Sequence, residues 1–297
     1  MTSAIVFSLA IISCNKEKGK EEEKDTKKLP SKIVLNYDDE ADIASFKYDN
    51  QNRMTEFLIG WEGDYDQFKL KFEYNANNRL SKVTLDDDGD IFEIPFQYVG
   101  NNQIIISSYY GETRLTINAN GQIIKEEEEY EYSEDYIGSL VRTWTYVDGN
   151  VTKINSIWSG YYYGEEFYEE KTGNVVSSDV LNIFRNATVP DWFLTWFLIP
   201  DNGHQIYFPG KNMLSKLGGL PYDEWVYTYQ TNSEGYATSC KIIITWGSSK
   251  DEYATPARKS LEKPRFKTLS KPRTKAPARK SVETEEINIT YEYILAK

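Results

Sequence analysis

The chain of 297 residues is 40% hydrophobic and 27% charged, with a formal net charge of -12 and 23 Tyr, 13 Phe and 7 Trp. So many aromatics exclude a disordered chain, and the acid excess argues against a protein that coats nucleic acid over its whole surface. One histidine, His204, and two cysteines, Cys14 and Cys240, exclude a disulfide framework, a Cys-ligated zinc site and a His-rich metal centre, so no cofactor is expected.

The chain opens with AIVFSLAIIS (4–13), an apolar run of the length of a signal-peptide core and too short to span a bilayer. Ile11-Ile12-Ser13 before Cys14 resembles the lipobox of bacterial lipoproteins, although residues 1–3 lack the usual basic flank. The resemblance implies cleavage after residue 13 and lipidation of Cys14, where two or three acyl chains hold what one would hold only marginally. NKEKGKEEEKDTKKLP (15–30) is apolar-free before Leu29 and reads, with Cys14 and Ser31, as a disordered charged tether spanning 14–31. The membrane is thus an expected partner, with an address at the outer membrane, on the cell surface or the periplasmic face.

From residue 32 onward a single β-domain is expected to reach residue 297. FKLKFEY (68–74) sets Phe68, Leu70, Phe72 and Tyr74 on one face and Lys69, Lys71 and Glu73 on the other, a period of two with one wet face. The runs 33–37, 44–48, 91–98, 103–110, 113–118, 140–147, 224–230, 240–246 and 287–294 behave alike, and turn signals recur every eight to fifteen residues. Lys69, Lys71, Glu126, Glu127, Glu128, Glu129 and Glu131 are assigned to the polar face. Cys240, in a β-branched run, reads as a small buried hydrophobe.

A loose hairpin repeat underlies the runs. Tyr48 opens YDNQNRM, Tyr74 YNANNRL and Tyr98 YVGNNQI, Ile117 opens INANGQI, and Tyr146 the shortened YVDGNV. Each joins a strand end to a polar turn whose Asn or Gly can take positive φ. Asp86-Asp87-Asp88-Gly89-Asp90 lacks the ligand spacing of an EF-hand and reads as an acidic hairpin turn.

Residues 178–199 break the alternation and predict one or two short helices, with Ser178 or Asp179 as N-cap and Pro190 as an interruption. Trp192, Phe193, Trp196, Phe197, Leu198 and Ile199 are expected in the core, and GKNMLSKL (210–217) as a loop or short turn. Segment 253–281 holds ten Lys or Arg against one acid, with four prolines, and predicts a disordered basic loop. Its Arg258, Lys259, Arg265, Arg273, Arg279 and Lys280 could take a polyanion.

The lipobox, the Y-D/N-x-x-N-R-L/M units, the helical interruption, GKNMLSKL, YTYQTNSEGYAT and the terminal ITYEY together resemble Bacteroides-type lipoproteins carrying a domain of unknown function with a porin-like fold. The hairpin units alone are also similar to YD repeats. The resemblance implies an all-β, strongly curved antiparallel sheet rolled like a barrel, without a pore.

No nucleophile elbow, P-loop, Rossmann fingerprint or zinc motif is present, so a non-enzymatic binding or structural module is expected. Trp158, Tyr161, Tyr162 and Tyr163 are the candidate ligand-binding residues, because in one strand they cannot all point inward. Glycan or a surface protein is the expected partner, nucleic acid is not, and the protein is expected to be a monomer. The alternatives are a hydrolase using paired carboxylates and polyanion capture by the basic loop.

Overall fold

The computed structural model describes residues 27–37, 41–61, 67–87, 89–108, 111–133, 136–163, 165–198, 207–218, 224–246 and 283–297. Cys14, His204 and the basic segment 253–281 lie outside them. Sixteen antiparallel strands close into one barrel in simple up-and-down order, with β16 returning to pair with β1.

The strands are β1 (Lys28–Asn36), β2 (Ala41–Tyr48), β3 (Met54–Trp61), β4 (Gln67–Tyr74), β5 (Leu80–Asp87), β6 (Asp90–Val99), β7 (Gln103–Ser108) and β8 (Gly111–Ile117). They continue as β9 (Ile123–Ser133), β10 (Tyr136–Val147), β11 (Asn150–Tyr162), β12 (Glu165–Leu181), β13 (Asn212–Gly218), β14 (Glu224–Thr231), β15 (Ala237–Trp246) and β16 (Glu283–Leu295). Helix α1 (Asp191–Leu198) is inserted between β12 and β13.

Turns 49–53, 75–79, 100–102, 118–122, 148–149 and 232–236 lie at one end of the barrel, here the turn end. The repeat owes its chemistry to that end. Asp49, Asn75, Asn118 and Asn232 each accept two backbone N–H groups with the side-chain Oδ1, at 2.8–3.1 Å. Three residues later Asn52, Asn78, Gly121 and Gly235 supply the left-handed residue, with φ of 59°, 58°, 77° and 77°.

A tyrosine at the strand end closes four of these units and joins the last strand as well. The hydroxyls of Tyr48, Tyr74, Tyr98, Tyr146 and Tyr293 donate to the carbonyls of Pro30, Met54, Leu80, Ile123 and Ala237, at 2.7–3.0 Å. Every one of these acceptors lies on the preceding strand, so the tyrosines staple neighbouring strands at the turn end. Burial pushes the Tyr98 phenol up to about 12, which keeps it a donor. Asn75→Ala removes the one oxygen that accepts both N–H groups of its turn and is expected to cost about 1 kcal/mol in urea unfolding.

The inside of the barrel is filled. Ile33, Leu35, Phe57, Leu70, Val83, Leu85, Ile104, Leu115, Ile242 and Ile287 project inward and are fully buried. A sixteen-stranded wall encloses more space than its own side chains commonly fill, and here residues 182–198 and 207–211 fold in from the turn end to occupy it. All residues from Trp192 to Leu198 are buried, so α1 has no solvent face. Phe193 stacks on Phe197 at 5.4 Å and meets Phe72 edge-on at 5.3 Å, while Trp192 meets Phe96 at 5.0 Å.

The outer wall is charged. Glu56 pairs with Lys47 at 2.7 Å and Lys69 at 3.0 Å, and Lys82 joins Glu73 and Glu93 at 2.9 and 2.7 Å. Lys216–Glu224 and Lys241–Glu286 extend the pattern around the barrel at 2.6 Å each.

Four local expectations are corrected. Residues 28–31 are not tether: they begin β1 and pair with the end of β16. Ser178 and Asp179 do not cap a helix: β12 runs on to Leu181, and Ser178 donates to the Met213 carbonyl at 3.0 Å. The helix starts instead after Pro190, whose carbonyl accepts from Phe193 N–H at 3.0 Å. GKNMLSKL is not a loop but contains β13, hidden because register shifts at Val176, Ser177 and Leu181 break its alternation. Glu126 and Glu128 are not on the wet face; they point inward.

Candidate functional site

The inward-facing rows of β8 to β12 change character with height in the barrel. At mid-height, register aligns Leu115, Glu126, Arg142 and Ser156 across four strands. Arg142 Nη1 donates to Glu126 Oε2 at 2.7 Å and its Nε donates to Ser156 Oγ at 3.2 Å. Glu126 is 0% exposed, and Thr113 and Glu128 beside it are also buried. This ion pair is sealed inside the wall, and Glu126 is not presented to a substrate.

Above that row, toward the end opposite the turns, lies the barrel's mouth. Register aligns Glu128, Leu140, Trp158 and Glu169, and above them Tyr130, Gly138, Gly160 and Phe167. The two glycines are required by close approach. A Cβ on Gly138 would lie 2.5 Å from the Tyr130 ring, and one on Gly160 2.3 Å from the Ile137 carbonyl oxygen. Trp158 is half-buried, the Lys171 ammonium stands 5.6 Å from its ring centroid, and Lys171 pairs with Glu169 at 2.6 Å. Aromatic faces and charged groups thus share one concave wall.

The four aromatic candidates are divided between faces. Trp158 points into the mouth; Tyr161 points outward and is 43% exposed. Tyr162 is half-buried, and its ring meets that of Tyr163 at 4.6 Å. Tyr163 is 72% exposed with φ of 47°, at the turn into β12. On the outer face, register brings Tyr161 beside Ile137 (47% exposed) and diagonal to Tyr168 (67%), two residues the sequence did not single out. Cys14, Arg258, Lys259, Arg265, Arg273, Arg279 and Lys280 lie outside the described residues.

A second concavity sits at the turn end, at the foot of the inserted segment. A cavity of about 90 Å³ is lined by Asn182, Phe184, Arg185, Val189, Asp191, Leu194, Tyr207 and Gly210. Asp191 Oδ2 is sealed from solvent with no hydrogen-bond partner, and desolvation pushes its carboxyl up to about 7. The folded chain therefore keeps a proton that the unfolded chain releases near pH 4. Stability is expected to fall between about pH 4 and 7 and then level off, a loss of about 4 kcal/mol. Urea unfolding from pH 4 to 8 checks this, with Asp191→Asn expected to remove this step and to be the more stable protein at pH 8.

Among the described residues, no group of three or more His, Cys, Asp or Glu is placed to hold a metal ion. Cys240 is buried, its thiol pushed up to about 12 by desolvation, and is not a nucleophile.

Fold and site together define the class: a closed sixteen-stranded antiparallel barrel, filled by its own side chains and an inserted helix, with a charged outer wall and an aromatic mouth. No protein-family model matches the chain, and no curated protein matches it. Among solved structures it is similar to a porin-like protein from Bacteroides uniformis, at 15% identity and a TM-score of 0.36, over 89% of this chain and 96% of that one.

Proposed function

We propose that the protein is a non-enzymatic binding module of the outer membrane, held by lipid on Cys14, whose mouth takes a glycan. The observation that carries this reading is the wall of β9 to β12 above the Glu126–Arg142 pair. There Trp158, Tyr130 and Phe167 offer ring faces beside Glu169 and Lys171. Sugar rings stack their C–H faces on aromatics and exchange hydrogen bonds with charged groups, and this wall supplies both.

The charged outer wall supports anchoring by lipid and not by strands. A membrane-spanning barrel carries an apolar outer band and, when it is a pore, a wet interior. Here ion pairs stand among apolar residues on the outer wall, and the interior is packed with apolar side chains. The tether enters at Lys28, at the turn end, so the mouth lies at the end remote from the point of attachment. Paired-carboxylate hydrolysis gains no support from the most buried inward acid, since Glu126 already pairs with Arg142.

A glycan array with the purified chain, its Trp158→Ala variant and its Tyr161→Ala variant tests the proposal. Sugar-specific binding that survives moderate salt and is lost in Trp158→Ala but kept in Tyr161→Ala is expected. Loss in Tyr161→Ala alone would move the site to the outer patch with Tyr168. Binding only to polyanions, falling steeply with salt, would transfer the function to the basic segment 253–281.

A further inference from the structure

The cavity at the turn end is independent of the mouth and is built from groups that lack partners. Arg185 Nη1, Asp191 Oδ2 and the Tyr207 hydroxyl are all buried without a hydrogen bond, and all three residues line it. Tyr207 as a whole is buried. The remaining polar side chain, Asn182, is fully engaged: its amide donates to the Phe208 and Gly210 carbonyls at 3.0 Å, and its oxygen accepts from Phe184 N–H at 2.9 Å. Phe184, Val189 and Leu194 complete an otherwise apolar wall.

Arg185 and Asp191 carry opposite charges, yet neither forms a salt bridge with any described residue. The Arg185 guanidinium lies 3.9 Å from the Tyr236 ring centroid, which holds it by its face and leaves Nη1 over. Charged groups of both signs whose unpaired atoms are sealed into one space without meeting each other are costly unless something joins them. A pair of waters would satisfy hydrogen bonds but not charge.

We propose that this cavity binds a small zwitterion, an α-amino acid of the size of glycine or alanine, with its carboxylate toward Arg185 and Tyr207 and its ammonium toward Asp191. At about 90 Å³ the cavity is smaller than the roughly 150 Å³ that accepts benzene with its six heavy atoms, so only the smallest amino acids, glycine with about five heavy atoms first, come near its capacity. An ammonium at Asp191 also supplies the counter-charge whose lack leaves that carboxyl half-protonated near pH 7. Val189 and Leu194 limit the space for a side chain, which sets the preference for the smallest amino acids.

Thermal melting and calorimetric titration of the full chain with glycine, L-alanine, acetate and methylamine test the proposal. Glycine or alanine is expected to raise the melting temperature with concentration, whereas acetate and methylamine, each matching one charge, have far smaller effects. Arg185→Met and Asp191→Asn are each expected to weaken binding roughly ten- to a hundredfold. Asp191→Asn removes a desolvated carboxylate and keeps the side-chain shape, so it remains folded even where Arg185→Met does not. No response to either amino acid, an equal response to acetate or methylamine, or undiminished affinity in folded Asp191→Asn would overturn the proposal.

Discussion

Replacing Phe193 with alanine is expected to destabilise the barrel by about 3–5 kcal/mol. Phe193 is 0% exposed and touches the rings of Phe72, Phe96, Trp196 and Phe197. Its removal leaves a cavity that rigid strands on one side and a short helix on the other cannot both close. Urea unfolding followed by tryptophan fluorescence measures it. Phe92→Ala, on a strand of the same sheet but 40% exposed, is the control and is expected to lose less than about 1 kcal/mol.

The inward ion pair predicts an effect of similar size with a different signature. Glu126→Ala leaves the Arg142 guanidinium buried against Ser156 and Trp144 without its counter-charge, at a cost of about 3–5 kcal/mol. Converting both partners, Glu126→Leu with Arg142→Met, is expected to recover most of that loss, because two apolar groups of similar volume need no pairing. A double-mutant cycle separates the cases. An additive cycle, with the double variant as unstable as the sum of the singles, would mean that the two side chains do not act as a pair.

The same two residues explain what was hard to read in the chain. Barrel strands with apolar inner faces, such as β1 and β4, are legible because a period of two in polarity maps directly onto inside and outside. IIKEEEEYEY of β9 carries glutamate on both faces, and nothing in the run tells that Glu126 and Glu128 face inward. Only the arginine across the register, Arg142, makes Glu126 tolerable there, and pairing between strands is not a local property.

The repeat was legible as turns, and the reason for its tyrosine became visible only with the neighbouring strand's carbonyl in place. The inserted segment was legible as apolar and helical, yet its start was misplaced, since Ser178 caps nothing and Pro190 opens the helix in place of interrupting it. Arg185 and Asp191, charged residues flanking NATVP in an apolar stretch, were a signal that could have pointed to the turn-end cavity. Among the aromatic candidates, Trp158 and Tyr161 are three apart in one strand, and odd spacing sends them to opposite faces.

We propose that this barrel, filled with its own side chains, is held to the membrane only by lipid on Cys14 and not by its strands. Fractionation of cells expressing the full chain and its Cys14→Ser variant, with alkaline extraction of the membranes, tests it most directly. The account predicts that the parent stays with the membrane while Cys14→Ser leaves with the soluble fraction, folded and needing no detergent. A Cys14→Ser protein that resists extraction and requires detergent would mean that the strands themselves cross the bilayer, and would contradict it.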